Sequence, residues 1–357
     1  MSDAKPSPRL SVVATSRNDD HGLNLKSRMQ LFVDGFADQA ERFRMPLELI
    51  LVEWNPPEDR APLATVLRWP PGEYFQPQVI TVPGDVHNAF PHSEGLPLFQ
   101  MIAKNVGIRR SHAPYVLATN IDILLSDELF EFLGNGLEPN SMYRVDRHDI
   151  EAHLERPALP SPADCRALPP IRMHTLEGLR YPKDAGPATN RSASAPALLR
   201  QPIRELSRLG IGAWSRLALP KLHTSGCGDF TLTSKETWST VRGYAEWPYF
   251  SWHIDGVLLF QAYAAGARTV NLQPPMAALH LEHSAGSGWT PEASGKLFER
   301  LDAVGVPYLS TNDYRLAAWK IVRGGRRSPP INGPDWGLAS HTFATTRPGR
   351  SASGVSK

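Results

Sequence analysis

"LATNIDILLSDEL", residues 117–129, places a carboxylate at the end of a predicted buried strand. The apolar run 115–118 is typical of a strand inside a sheet. Asp122 follows it, between two apolar stretches, and Ser126 is of the residue type that begins helices. A buried carboxylate is costly without a partner, so Asp122 must be hydrogen-bonded, neutralised or bound to a cation. The ends of strands in an open α/β sheet are also where ligands bind.

Around this stretch, predicted strands alternate with predicted helices. The apolar segments 10–14, 47–52, 78–82 and 115–119 are predicted strands. Helical spacing appears between them, first through Leu25, Met29, Phe32, Phe36, Ala40 and Phe43, and again over 96–110. This alternation predicts βαβ units and a mostly parallel sheet. Polar residues end three of these strands, at 15–18, 53–55 and 120–122, and in a parallel sheet they share one edge, so we expect one site there.

Composition excludes several classes of protein. The chain has 357 residues, of which 41% are hydrophobic, and a formal charge of +2. That charge is too small to indicate a nucleic-acid partner, and no apolar run is long enough for a membrane span. Cys165 and Cys227 are too few for a metal cage or a disulfide scaffold. Without an apolar segment of signal-peptide type at the N-terminus, a cytoplasmic location is expected.

The organisation of the chain follows from the same patterns. Residues 1–9 are expected to be a flexible tail and 10–323 a single domain, with a nucleotide-binding half (10–150) and an acceptor or catalytic half (223–323). Between the halves, 155–205 is rich in Pro, Ala, Arg and Ser and predicts an irregular insertion. From 324 to 357 the Gly/Pro/Ser/Arg-rich composition predicts a disordered tail.

Two groups of residues suit a ligand at the edge of the sheet. Asn120 and Asp122 together suit a hard divalent cation completed by a diphosphate, although Asn and Asp are also common in plain turns. In "SGCGDF", 225–230, Gly226 and Gly228 permit close backbone approach to a ligand, or simply form a turn.

Two further groups lie later in the chain. Asp255 follows an aromatic loop and precedes an apolar helix, which suits either a helix N-cap or a general base. The loop's aromatics suit a sugar ring or core packing. His280 and His283 would point to opposite faces of a strand, so at most one faces a metal unless the strand ends between them. His283 is favoured because a Gly/Ser-rich loop follows it; for either one, a structural histidine is the alternative.

Taken in order, these motifs resemble the GT-A glycosyltransferases, in particular the family 2-like inverting enzymes. "VVATSRND" resembles the first nucleotide-contacting loop, "LILVEWN" the strand with a base-contacting acid, and "AKNVGI" the helix before the metal strand. "NID" at 120–122 is similar to the Asp-x-Asp metal motif, with Asn120 in place of the first acid. "SGCGDF", "HID" and the histidines follow in the family's order, over roughly residues 10–285. One acid of the usual pair at the base motif is missing, because Ile254 precedes Asp255.

The resemblance implies a GT-A (Rossmann-like) fold and transfer of a sugar from a nucleotide-diphosphate donor to a carbohydrate or other hydroxyl acceptor, with inversion. It implies Asp255 as catalytic base and a divalent cation, Mn²⁺ or Mg²⁺, on Asp122 with His283 or His280. It further implies donor contacts from Thr15, Arg17, Asn18, Glu53, Asn105, Asn120, Gly226 and Gly228.

Three alternatives stay open. A non-catalytic nucleotide-sugar or carbohydrate-binding relative would tolerate Asn120. A GT-A-like nucleotidyltransferase would share the sheet but needs a more basic, Gly-rich loop than "TSRNDDHG". A metal-dependent hydrolase of another fold would need more clustered ligands.

Overall fold

The structure is a computed structural model that describes residues 5–19, 22–155, 158–182, 219–283 and 294–349. Along the described chain the strands are β1 (Leu10–Ser16), β2 (Leu47–Trp54), β3 (Phe75–Val82), β4 (Tyr115–Thr119), β5 (Ile123–Leu125), β6 (Ser141–Arg144), β7 (Arg147–Ile150), β8 (Arg172–Thr175), β9 (Gly178–Arg180), β10 (Phe230–Ser234), β11 (Arg268–Asn271), β12 (Ala278–Leu281) and β13 (Ala344–Thr346). The helices are α1 (Leu25–Arg42), α2 (Leu63–Val66), α3 (Gly84–Asn88), α4 (Gln100–Arg110), α5 (Asp127–Asn135), α6 (Pro162–Arg166), α7 (Lys235–Val241), α8 (Ile254–Ala265), α9 (Ser294–Ala303) and α10 (Thr311–Gly324).

An eight-stranded sheet lies at the centre, in the order β11-β6-β10-β4-β1-β2-β3-β13. The strands β4, β1, β2 and β3 run parallel, as expected. β10, however, lies antiparallel between β4 and β6, and β13 lies antiparallel on β3. The prediction of a mostly parallel sheet is therefore wrong, and the sheet is mixed. Among the described residues, a turn at 225–229 leads directly into β10, which then runs antiparallel to both of its neighbours.

A second, smaller sheet has the order β5-β12-β7-β8-β9. Its strand β5 begins at Ile123, and only three residues separate it from the end of β4 at Thr119. Residues 120–122 are thus the crossing between the two sheets. That position explains why a polar pair interrupts two apolar runs, because the backbone leaves one sheet there before it joins the other.

Alternation along the central strands sends side chains into two cores. In β1, Val13 packs on the side of α4, α7 and α8, while Val12 and Ala14 pack on the side of α1. The predicted apolar face of α1 is confirmed for Leu25, Met29, Phe32, Phe36 and Ala40, which are all buried; Phe43 is the C-cap residue. α8 is apolar over most of its surface, and it packs against both α7 and α10.

The described ends of the chain are held on the fold. Lys5 Nζ donates to Gly72 O and Phe75 O at 2.8 and 2.9 Å, so residues 5–9 do not form the expected flexible tail. The predicted disorder of 324–357 is likewise wrong for 325–349. That segment carries β13, and the Arg110 guanidinium donates to the carbonyls of Gly337 and Leu338 at 2.6 and 2.8 Å. Buried side-chain donors can order a segment whose composition lacks a hydrophobic pattern.

The proline-rich insertion is described only in part. Residues 158–182 form α6 and the hairpin of β8 and β9, which extends the second sheet. Its residues 156–157 and 183–205 lie outside the described residues, as do 1–4 and 350–357. Within the described ranges, no helix is both long and apolar enough to cross a membrane.

Gly107 sets the distance between α4 and the sheet. A Cβ built there would meet Val13 Cγ1 at 2.5 Å and Val52 Cγ2 at 3.0 Å. We expect Gly107→Ala to destabilise the protein by about 1–2 kcal/mol, because overpacking costs ~1–3 kcal/mol and helix propensity returns up to ~1 kcal/mol. Gly134→Ala in α5 is the matched control, since its Cβ meets only Met45 Sδ at 3.8 Å, and it should be neutral or stabilising. Urea unfolding of both variants measures this, and equal effects would contradict the packing argument.

Candidate functional site

A cleft of about 880 Å³ opens at the carboxyl ends of β1 and β4 and against the second sheet. It brings together two of the three polar strand ends, and with them the glycine loop, the start of α8 and both C-terminal histidines. Its walls include Thr15, Arg17, Arg28, Asn120, Asp122, Arg147, Gly226, Gly228, Asp229, Phe250, Trp252, Asp255, His280 and His283.

Asp122 and the two histidines meet because β12 pairs antiparallel with β5, placing His280 opposite Ile123. His280 Nε2 lies 3.8 Å and His283 Nε2 3.1 Å from Asp122 Oδ2. β12 ends at Leu281, between the histidines, so the chain is free to turn and both rings reach the carboxylate. The expectation that only one of them faces the site holds for a continuous strand and does not apply here.

Arg28, from α1, also binds this carboxylate. Its Nη1 donates to Asp122 Oδ2 at 3.0 Å, and its side chain is 2% exposed. Burial alone would raise the pKa of Asp122, but the charge of His280, the hydrogen bond from His283 and Arg28 outweigh it and hold the pKa well below its usual range. Asp122 is therefore an anion in the folded protein.

The donor set around Asp122 fits a divalent cation. One ligand atom from each of Asp122, His280 and His283 lies within 4.8 Å of the others. Asp122 Oδ1 and His283 Nδ1 are buried and have no hydrogen-bond partner among the described residues. Arg28 and His283 occupy Oδ2, which leaves Oδ1 available. One carboxylate and two imidazoles suit a first-row transition metal, and three protein ligands leave positions for a further ligand.

A second possible triad is Asp149, His280 and Glu282. Here arginines already neutralise both acids, because Arg172 lies 2.5 Å from Asp149 Oδ2 and 2.6 Å from Glu282 Oε2. Asp149 also accepts from Arg147. A cation here would have to displace the guanidinium groups of both Arg172 and Arg147, so the Asp122 triad is the better candidate.

Arg147 and Asp149 are functional candidates that sequence reasoning missed. They lie two residues apart on β7 and face the cleft side together, with Arg147 Nη1 2.6 Å from Asp229 Oδ2. Burial would lower the pKa of Arg147, but Asp229 and Asp149 raise it instead. The signal was present in "RHDI", where charged residues recur with the two-residue period of a strand.

Asn120 has a different role from the one implied by its motif. Its Oδ1 accepts from Gln100 Nε2 and Lys104 Nζ at 2.9 and 2.7 Å, and its Nδ2 donates to Asp229 Oδ1 at 2.6 Å. The amide lines the cleft, but each of its polar atoms is already in use. Lys104 is fully buried, and burial lowers its pKa to about 8. Asn120 thus links a buried cation to Asp229.

The glycine loop lies next to Asp255. A Cβ on Gly228 would come within 2.9 Å of Asp255 Oδ2. Asp255 lies in the first turn of α8, where its Oδ1 accepts from Gly256 N at 2.8 Å. The N-cap position belongs to His253, so the alternative of Asp255 as N-cap is wrong. Its carboxylate still benefits from the positive end of the helix dipole.

The remaining predicted contacts divide between the cleft and the interior. Thr15 and Arg17 line the cleft. Asn18 Nδ2 donates to Ala61 O at 2.9 Å, outside the lining. Asn105 is buried and bonds to Tyr244 N and O. Glu53 is fully buried, and its Oε1 accepts from Leu63 N at 2.8 Å. Asn18, Asn105 and Glu53 therefore shape the surrounding loops and do not meet the cleft in this structure.

The aromatic residues of the loop before α8 also fall into two groups, some lining the cleft and some packed in the core. Phe250 and Trp252 line the cleft. Trp247 and Tyr249 pack together, 6.2 Å between ring centroids, against the core on the α8 side. The ring of His253 stacks on Tyr314 at 4.5 Å. Core packing and cleft lining, which the sequence left as alternatives, thus apply to different residues of one loop.

No protein-family model matches the chain, and the comparison with curated proteins gives no match. Among solved structures, the chain is similar to a mycobacterial protein of known crystal structure. The TM-score is 0.37 and the identity 13%, over 84% of this chain and 76% of that chain. A likeness at this level supports no statement about function.

Loss of one histidine should weaken metal binding. We expect His283→Gln to lower the affinity for Mn²⁺ at least ~10-fold, the lower end of what loss of a supporting partner costs at metal sites. This variant spares Asp122, whose removal would take from the buried Arg28 its contact with that carboxylate and so disturb the fold. His341→Gln, outside the cleft lining, is the control. Titration calorimetry with Mn²⁺ measures the effect, and equal affinities in the two variants would contradict this site.

Glu53 should make stability depend on pH. Burial raises its pKa above the usual 4.5, against the hydrogen bonds from Leu63 and Thr81. The folded state therefore holds its proton to a higher pH than the unfolded chain, so stability falls as pH rises through that window. We expect wild type to lose unfolding free energy relative to Glu53→Gln as the pH rises above the usual glutamate pKa of 4.5. Glu53→Ala leaves the Leu63 N–H without its acceptor and should cost ~1–3 kcal/mol. Parallel curves for wild type and Glu53→Gln would refute the pKa direction.

Proposed function

We propose that this chain is a GT-A-like glycosyltransferase that moves a sugar from a nucleotide-diphosphate donor to an acceptor hydroxyl, assisted by a divalent cation and with inversion. The observation that carries the proposal is one cleft that holds both the Asp122 triad and Asp255. The first is suited to a leaving diphosphate and the second to an attacking hydroxyl.

The proposed roles follow from charge and position. Asp122, His280 and His283 would hold the cation, which when bound supplies charge neutralisation to the leaving diphosphate. Thr15 and Arg17 lie on the β1 side of the cleft, where the donor nucleotide is placed. Asp255 takes the proton as the acceptor oxygen bonds to the anomeric carbon and the bond from that carbon to the diphosphate oxygen breaks. Attack from the face opposite the leaving group inverts the anomeric centre.

The fold features support a GT-A-like assignment in part. Of the parallel strands, β1 and β4 present their carboxyl ends to the cleft, and the strand after the glycine loop, β10, joins the same sheet beside β4. Motifs that are far apart in sequence, near residues 16, 122, 228, 255 and 283, meet in one place. That convergence is what a transferase with two substrates requires.

The rival functions predict different products. Incubation with a panel of nucleotide sugars, with and without Mn²⁺, should release nucleoside diphosphate, with water or an added alcohol as acceptor. Release of pyrophosphate from a nucleoside triphosphate and a sugar phosphate would identify a nucleotidyltransferase. Donor binding without any release would identify a non-catalytic relative, and absence of binding would refute the proposal.

Asp255→Asn isolates the chemistry from the fold. The Asn Oδ1 can still accept from Gly256 N, so stability should change by less than ~1 kcal/mol, while turnover should fall ~10²–10⁴-fold as expected for loss of a general base. Asp313→Asn is a matched control, because Asp313 lies in the first turn of α10 outside the cleft lining. Release of nucleoside diphosphate measures turnover, and near-normal turnover in Asp255→Asn would leave the mechanism without its base.

A further inference from the structure

Arg144, the last residue of β6, is buried beneath the glycine loop and is 1% exposed. Its Nε donates to His223 O at 2.8 Å and its Nη2 to Ser225 O at 2.9 Å. Its Nη1 has no hydrogen-bond partner, and no carboxylate among the described residues forms an ion pair with it. Burial lowers the pKa of Arg144, yet a guanidinium stays protonated in proteins.

Such an arginine is expensive in a purely structural role. Arginine is almost never fully buried unless paired, and a buried charge costs several kcal/mol of desolvation. Two carbonyl bonds offset part of this, but an apolar side chain would fill the space at lower cost. The charge therefore points to a role in the adjoining cleft.

The loop above Arg144 has its carbonyls turned away from the cleft. Five of them accept hydrogen bonds from donors inside the protein. These are His223 O and Ser225 O from Arg144, Gly226 O from Asp229 N at 3.1 Å, Cys227 O from Thr231 Oγ1 at 2.7 Å, and Gly228 O from Lys104 Nζ at 2.8 Å. Two of the three side chains that provide these bonds, Arg144 and Lys104, are buried cations.

The N–H groups of the same loop are free to donate. Ser225, Gly226 and Gly228 line the cleft, and their N–H groups have no acceptor within the part of the chain that the structure describes. Gly226 has a φ of 60°, a conformation that an L residue rarely adopts. Successive backbone N–H groups around such a residue form a concavity that binds anions. The buried charge of Arg144 adds to that potential.

We propose that Arg144 is a positioning residue, which holds the carbonyls of His223 and Ser225 inward so that the N–H groups of residues 225–228 bind an anionic oxygen of the substrate. The ligand class is a phosphate or carboxylate. The anion site itself does not depend on the proposed function. Only the source of the anion does, and that source is either the donor diphosphate or an acidic acceptor. Because the loop adjoins Asp255, the bound anion would also fix the substrate beside the candidate base.

The test uses inorganic pyrophosphate as the probe, with EDTA present so that no metal contributes. Calorimetry on the full chain should show binding to wild type and at least ~10-fold weaker binding to Arg144→Met, as expected for the loss of a charge-assisted contact. Arg144→Lys keeps the charge but cannot hold both carbonyls with one ammonium, so its affinity should fall between the two. Arg110→Met is the matched control, because Arg110 also binds loop carbonyls but lies outside the cleft lining.

A purely structural role predicts another pattern. If Arg144 were only structural, both Arg144→Met and Arg110→Met would have a lower melting temperature but the same affinity for pyrophosphate. That result would overturn the proposal. Wild type that fails to bind pyrophosphate in EDTA would also overturn it, even where Mn²⁺-dependent donor binding succeeds. If Arg144→Met does not fold, the pyrophosphate affinities of Arg144→Lys and Arg110→Lys are compared instead, with the same expected and contrary outcomes.

A competition arm identifies the source of the anion. Nucleoside diphosphate with Mn²⁺ displaces pyrophosphate if the loop holds the donor diphosphate. Simultaneous binding of both places the anion on the acceptor. Either result supports the loop as an anion site.

Discussion

A chain of alternating charges across the floor of the cleft joins the two sheets, and the arrangement of the site depends on it. Each link is a hydrogen bond or ion pair of 3.8 Å or less, and the order is Arg28, Asp122, His280, Asp149, Arg147, Asp229, Asn120 and Lys104. Its members come from α1, β7, α4, β12 and the ends of β4 and the glycine loop. The relative position of these elements is therefore fixed by electrostatics as well as by packing.

Such a network is stable only when it is complete. Buried ions lose hydration, and their mutual attraction offsets that loss only if each has a well-placed partner. The low dielectric constant of the protein interior strengthens each hydrogen bond and ion pair. It also raises the free-energy cost of a buried polar group that has no partner. The atoms that remain without a partner are therefore informative. Asp122 Oδ1 and His283 Nδ1 belong to residues of the candidate metal triad, and Arg144 Nη1 belongs to the arginine beneath the loop that we assign to an anion.

The cleft has a polar floor and a partly apolar wall. The floor carries the charged chain, while Phe250 and Trp252 stand beside Asp255 on the wall. Trp252 is itself packed against Phe298, 5.4 Å between centroids, so this wall is held by α9. The proposed function would use both surfaces, the polar floor for a charged donor and the aromatic wall for a sugar-like acceptor.

The sequence by itself determined most of the local structure. β4 and the start of α5 lie where the apolar run and the helix-starting Ser126 predict them, because period and capping are properties of neighbouring residues. The sequence also indicated Asp122, Asp255 and both histidines as candidates, because polar residues at the ends of apolar runs can be recognised from the order of residues alone. The partners of these residues were not visible. These contacts join residues that are far apart in the chain. Arg28 binds Asp122, and the Asn120 side chain is hydrogen-bonded to Lys104 and Asp229. The side chains of Glu53 and Asn105 are buried in the interior. The antiparallel entry of β10 and the ordering of 325–349 were decided in the same way. Burial and long-range hydrogen bonds give these residues their roles, and neither is encoded by sequence neighbours.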